Sequence, residues 1–216
     1  MNKRTPLTLM LCLFAALGCQ QKNAAYWYAE GDRLEAASKN KRLSYSFEDF
    51  VASPDYCNSR DMWRGAAIEL YDPQNSVVEV LLDEQRGRLY IRGQIAMDFP
   101  VCSGRVGGKE TPKGTFRISQ KVKDYASNAY GSFVNADGKV VESNVAATDP
   151  LPAKAPLGTH FKGAEMPYWM RFNGAIGLHV GNVHRTSASH GCVRVPEEAC
   201  SILFSKLAVG SKVIVR

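Results

Sequence analysis

Three of the four histidines in this sequence and one of its six cysteines fall between Gly177 and Val195: His179, His184, His190 and Cys192. In Ser189-His190-Gly191-Cys192-Val193-Arg194 a thiol stands beside a glycine and two residues from an imidazole. A cysteine attacks as its thiolate, so a nucleophilic thiol needs a base near it. His190 shares a face with Cys192 if the chain is extended there, and His179, thirteen positions upstream, is a second candidate. The residues alone leave both open. Gly191 permits a tight turn. Its amide and that of Cys192 would then form an oxyanion hole for a tetrahedral intermediate. The fork of Arg194 suits a carboxylate, and equally suits a surface ion pair.

The same side chains raise a rival chemistry. His179, His184, His190 and Cys192 are ligand types for zinc. Their spacing matches no familiar ligand set. The expectation is therefore thiol chemistry with no metal and no organic cofactor.

Several elements must position these groups. Cys192-Val193-Arg194-Val195 alternates as the start of a short strand, and Ala175 to Val180 reads as another. Val77 to Leu82 and Arg88 to Gly93 read as strands joined by a turn at Asp83 to Gly87, with Ile95 to Cys102 as a third. The glycine-rich stretch from Ser103 to Phe116 leads into a strand over Thr115 to Ile118. It lacks the spacing and the following helix of a phosphate-binding loop, so it is read as turns between strands. Glu197 to Leu207 is an amphipathic helix and Lys212 to Arg216 a closing strand. The fold class is mainly β, with one C-terminal helix.

Residues 119–160 read as a long loop-rich insertion, with a hairpin turn at Asp137-Gly138 and breaks at Pro150, Pro152 and Pro156. A flap over the substrate and mere decoration fit it equally. Tyr168 and Trp169 suit either a cleft wall or the core.

The chain begins with a different kind of segment. Lys3 and Arg4 precede the apolar run Leu7 to Leu17, which is too short to span a bilayer comfortably, so residues 1–19 are expected to be an export signal. Residues 20–75 are expected to be a tether with short helical turns, one starting at the capping box of Ser46 to Asp49. The folded domain is expected over 76–216. The formal charge of +6 falls to +4 once Lys3 and Arg4 are removed, too weak a basicity to argue for nucleic acid. Cys57, Cys102 and Cys200 would be free to pair in an oxidising compartment.

Ser189-His190-Gly191-Cys192-Val193-Arg194, preceded by His179 in Ile176-Gly177-Leu178-His179, closely resembles the signature of the L,D-transpeptidases, the YkuD-type cell-wall enzymes. The strand ending in Ser103-Gly104 and the Thr111-Pro112-Lys113-Gly114-Thr115-Phe116 run resemble the same family, and the likeness covers about residues 76–216. It implies a sandwich-like β unit with an open cleft. It implies Cys192 as nucleophile and His179 as base, with the backbone carbonyl of Val180 orienting that histidine. Ser189 and His190 would shape the site, Gly191 and Cys192 would supply the oxyanion hole, and Arg194 would hold a substrate carboxylate or fix the loop. The implied partners are peptidoglycan stem peptides. Cys192 would attack the third-residue carbonyl of a tetrapeptide, release D-alanine, and pass the acyl group to an amine. Water as acceptor would make a carboxypeptidase, some relatives cleave wall–protein links, and a wall-binding lipoprotein on this scaffold is the non-enzymatic reading. Ala16-Leu17-Gly18-Cys19 resembles a bacterial lipoprotein box with Cys19 as the lipidated residue, which would anchor a monomer on the periplasmic side, at the outer membrane of a Gram-negative cell.

Overall fold

The expected hairpin is present with its bounds shifted: Ser76 to Leu81 pairs with Arg86 to Ile91 in the middle of the largest sheet. The computed structural model describes residues 46–70, 72–147, 155–184 and 186–216. The expected export signal, the lipidation residue Cys19 and most of the tether lie outside the described residues. Contacts divide the chain into two units, Met1–Ala52 and Ser53–Arg216. Of the first unit only one helix is described, α1 (Phe47–Val51). Ser46 Oγ accepts from the Asp49 amide at 3.1 Å and the Asp49 carboxylate accepts from the Ser46 amide at 2.8 Å, the reciprocal cap expected from the sequence.

The described residues of the second unit hold thirteen strands, β1 to β13, one α-helix and two single 3-10 turns. A six-stranded sheet contains β1 (Trp63–Arg64), β2 (Ser76–Leu81), β3 (Arg86–Ile91), β4 (Gln94–Pro100), β5 (Gly114–Arg117) and β13 (Lys212–Val215), ordered β1-β4-β3-β2-β13-β5. The last strand runs parallel to β2 and lies between it and β5, inside the sheet. A four-stranded sheet contains β6 (Gln120–Val122), β10 (Trp169–Asn173), β11 (Ile176–Val180) and β12 (Val193–Val195), ordered β12-β11-β10-β6. The core includes Val78, Leu89, Ile91, Met97 and Phe99 from the first sheet and Met170, Leu178, Val193 and Val195 from the second. Helix α2 (Glu197–Lys206) adds Ala199, Cys200 and Leu203. Each of these side chains is essentially inaccessible to water, and burying a residue of this size contributes about 1.5–3 kcal/mol.

Two expectations need correction. Residues 119–160 are not mainly loop. They hold β7 (Ala126–Val134) and β8 (Val140–Ala146), which with β9 (His160–Glu165) form a three-stranded antiparallel sheet ordered β8-β7-β9. The Asp137-Gly138 turn is present, with Asn135 Oδ1 accepting from the Asp137 and Lys139 amides at 3.1 and 2.8 Å. The sequence hid the strands because β8 is largely exposed and β7 is rich in small polar residues, so neither carries a clear apolar alternation. The second correction concerns the tether, expected to reach residue 75. Residues from Ser53 onward belong to the folded unit, where Trp63 and Arg64 pair with Asp98 and Met97 of β4 and Ala67 is buried in the core.

Candidate active site

Strand alternation decides which groups meet. Leu178 of β11 lies beside Val193 of β12 in a parallel pair, and both point into the core. Side chains one residue to either side point the other way. Gly177 and His179 on β11, and Cys192 and Arg194 at β12, therefore share the outer face. The register aligns His179 with Arg194 and leaves Cys192 beside Gly177. On β10 the same rule turns Trp169 and Arg171 outward, because Met170 between them is buried opposite Leu178. Trp169, Arg171, His179, Cys192 and Arg194 line a cleft of about 790 Å³, together with Ser189, His190 and residues of the β7–β9 sheet such as Tyr130 and Ser132. Sequence reasoning left flap and decoration level for residues 119–160, and the structure makes that sheet a wall of the cleft.

His179 is 7% exposed, and its Nδ1 lies 2.7 Å from the carbonyl oxygen of Val180. A carbonyl only accepts, so Nδ1 carries the proton and Nε2 keeps its lone pair. Burial pushes the His179 pKa down to about 4, the Val180 carbonyl partly opposes this, and the Arg194 charge adds to it. The imidazole is neutral at physiological pH. Burial likewise raises the Cys192 thiol above its ordinary range, opposed by a backbone hydrogen bond from Gly177 and by the Arg194 charge. The resting site is therefore a neutral thiol and a neutral base on adjacent parallel strands.

The loop before β12 is held by polar bonds. Ser189 Oγ donates to the Cys192 carbonyl and accepts from the Gly191 amide at 3.1 Å. This corrects one expectation: the Gly191 amide is already committed to Ser189, so an oxyanion at this loop falls to the Cys192 amide. Gly191 has φ +118°, a conformation that side-chain-bearing residues rarely adopt. Its carbonyl accepts from Thr111 Oγ1 at 2.8 Å, and Thr111 Oγ1 in turn accepts from the Gly104 amide at 2.9 Å. Isolated bridges Cys102↔Arg194 and Gly104↔Ser189 complete the tie between the glycine-rich loop and the thiol loop. The roles of Thr111 and of Gln85, whose amide bonds both the Ser103 hydroxyl and the Ser103 amide, were not read from the sequence, because their partners are distant in the chain.

His190 does not point to the base position. Its ring stacks on Tyr130 of β7 at 4.7 Å between centroids. Lys109 Nζ bonds Tyr130 Oη at 3.2 Å. Burial lowers the His190 pKa, and the Arg105, Lys109 and Arg194 charges lower it further. Trp169 lines the cleft beside His179, at 6.1 Å between ring centroids, and stacks on Tyr125. Tyr168 packs on Phe204 instead. His184 is exposed and lies outside the cleft lining. Among the described residues no three His, Cys, Asp or Glu side chains converge as metal ligands. Cys57, Cys102 and Cys200 are free thiols, the first exposed and the others buried. No carboxylate among the described residues lies within ion-pair distance of Arg194.

The family model of the L,D-transpeptidase catalytic domain, YkuD, matches residues 75–215, well over half of the sequence. The chain belongs to the L,D-transpeptidase catalytic domain family. Solved L,D-transpeptidases resemble the chain at low identity. The one from Stackebrandtia nassauensis is 21% identical, with a TM-score of 0.47, over 68% of this chain and 58% of that one. The one from Mycobacterium smegmatis is 16% identical, with a TM-score of 0.48, over 66% and 58%. A mutant of the Enterococcus faecium enzyme is 20% identical, with a TM-score of 0.46, over 66% and 50%. This L,D-transpeptidase domain thus spans well under two thirds of the length of those relatives. No curated protein matches the sequence.

Proposed function

We propose that the protein is a peptidoglycan L,D-transpeptidase with Cys192 as nucleophile and His179 as base. The observation that carries this reading is the parallel pairing of β11 and β12, which puts both side chains on one face of an open cleft while the Val180 carbonyl fixes the histidine tautomer. Cys192 gives its proton to His179 Nε2 as sulfur attacks the third-residue carbonyl of a stem tetrapeptide. The oxyanion is met by the Cys192 amide. Collapse breaks the bond to D-alanine, whose amine takes the proton from His179 and leaves a thioester. An acceptor amine then attacks that thioester, gives a proton to His179 and restores the thiol. The two half-reactions together are a double displacement through a cysteine acyl-enzyme. Ser189 holds the thiol loop, and Arg194 lies on the same face as a carboxylate partner for substrate.

The N-terminal reading completes the proposal. An export signal over residues 1–19, and a lipid on Cys19, would set the domain on the periplasmic side of the envelope at the outer membrane. The test is muropeptide analysis after the full-length protein is added to tetrapeptide-bearing wall fragments. New crosslinked dimers, absent with Cys192→Ala, are the expected result. Tripeptides without dimers would make the enzyme an L,D-carboxypeptidase, released protein would make it a hydrolase of wall links, and unchanged fragments with retained binding would leave a wall-binding lipoprotein.

A further inference from the structure

Two buried donors on the cleft face have no partner. Trp169 Nε1 and Arg171 Nε are both inaccessible to water and, among the described residues, neither has a hydrogen-bond partner. Buried donors are rarely left without an acceptor, so an orphaned pair on a site wall points to a ligand acceptor. Both residues line the cleft, and the guanidinium lies 5.8 Å from the Trp169 ring. The remaining recorded bond of the Arg171 side chain is a long one, from Nη1 to the Gly174 carbonyl at 3.4 Å. Among the described residues no carboxylate lies within ion-pair distance of Arg171. The one carboxylate in the cleft lining, Glu165, pairs with Lys162 at 3.1 Å.

The register places this cation relative to the thiol. Arg171 of β10 is opposite Gly177 of β11, and Gly177 is beside Cys192. Arg171, Gly177 and Cys192 thus form a row across the sheet, with strands spaced by roughly 4.8 Å. The middle position has no side chain, and a Cβ there would meet the Trp169 ring at 2.7 Å and the Met170 carbonyl at 2.6 Å. The indole therefore lies over the gap between the cation and the nucleophile.

Resting on the transpeptidase reading, we infer that Arg171 and Trp169 form the subsite for the C-terminal carboxylate of the acyl donor. That carboxylate belongs to the residue that leaves, one residue beyond the carbonyl that Cys192 attacks. It is the anion an arginine two strands from the thiol meets when the scissile carbonyl sits over Cys192. The subsite makes the enzyme select donors whose leaving residue ends the peptide. Arg194, two residues along the chain from Cys192 and in the row of His179, is left for the thiol loop or another acidic group of the donor.

The test compares a tetrapeptide donor bearing a free C-terminal carboxylate with the same peptide as its amide. The full-length protein is used, with thioester formation on Cys192 read by intact mass. The wild type is expected to favour the free acid by about 10- to 100-fold in kcat/KM, the range of a charge-assisted hydrogen bond. Arg171→Gln is expected to lose that preference, acting mainly on KM for the acid and little on the amide. Arg171→Lys keeps part of the preference, and Trp169→Phe reduces it several-fold. A folding defect would slow both donors alike. An unchanged preference in Arg171→Gln overturns the inference, and its loss in Arg194→Gln instead moves the carboxylate to Arg194. Wild-type protein that treats acid and amide alike also overturns it. If no thioester forms with either peptide, the enzymatic reading fails on its own. Calorimetric binding of the two peptides to Cys192→Ala, with and without Arg171→Gln, then decides the subsite by the same acid-over-amide ratio.

Discussion

At the scale of residues, the site is poised with both partners uncharged. Burial sets His179 at about 4 and lifts Cys192 above its ordinary range, so no stable thiolate–imidazolium pair is present at rest. The proton moves only as a carbonyl arrives. The sign of the pH dependence follows. In the proposed reaction His179 takes the thiol proton only while it is neutral, so acylation of Cys192 is expected to hold steady from pH 6.5 down to about 5 and to fall as pH approaches 4. An acid limb centred near 6.5, the ordinary histidine value, would contradict the buried base. Alkylation by iodoacetamide reads the other partner. Labelling of Cys192 is expected to be slow at neutral pH and to keep rising through the ordinary thiol range, whereas a plateau near pH 6 would reveal a preformed ion pair. This behaviour differs from that of cysteines whose pKa is lowered by a charged neighbour.

At the scale of elements, two pieces of chain far from it in sequence hold the thiol loop. Thr111 Oγ1 joins the Gly104 amide to the Gly191 carbonyl, and the Tyr130 ring of β7 packs on His190. Thr111→Val keeps the shape and removes the hydroxyl, leaving a buried donor and a buried acceptor unpaired. The expected cost is about 1–3 kcal/mol in thermal or urea unfolding. Because Gly191 stands next to the nucleophile, Cys192 acylation should drop by more than the stability loss explains at a temperature where the variant is folded. Equal activity in that variant would mean the loop is held by Ser189 alone. This network also marks where sequence reasoning stops. The placing of Cys192 and His179 on neighbouring strands and the hairpin of β2 and β3 were legible, because local alternation and the Ser-His-Gly-Cys run carry their own signal. The Thr111 and Gln85 ties depend on side-chain partners far away in the chain, which no local pattern encodes. The Ser189 hydroxyl that occupies the Gly191 amide follows from the shape of the loop, which the run of residue types does not specify. The β7 and β8 strands escaped because a wall facing an open cleft on one side and water on the other has little apolar periodicity to read.

At the scale of the whole molecule, the family match begins at residue 75, yet the folded unit begins at Ser53. The difference matters because the segment between them covers buried charge. Arg86 and Asp98 are both fully buried and lie 2.7 Å apart, and Arg88 bonds the same carboxylate at 2.9 Å. Tyr56 Oη donates to Asp98 at 2.8 Å, and the Ser59 and Asp61 carbonyls accept from Arg86 at 2.6 and 3.1 Å. A buried ion pair is tolerable when its remaining donors and acceptors are satisfied, and its disruption typically costs about 3–5 kcal/mol. A chain starting at Ser53 keeps every one of these bonds and should melt within a few degrees of the full-length protein. One starting at Asp72 loses Tyr56, both carbonyls, the edge strand β1 and buried Ala67. With about 2–4 °C per kcal/mol for a domain of this size, the shorter chain should melt roughly 10 °C lower or more. Calorimetry on the two truncations decides it. Equal melting temperatures would mean that residues 53–71 are a dispensable tether, and that the Arg86–Asp98 pair is satisfied by water once they are gone.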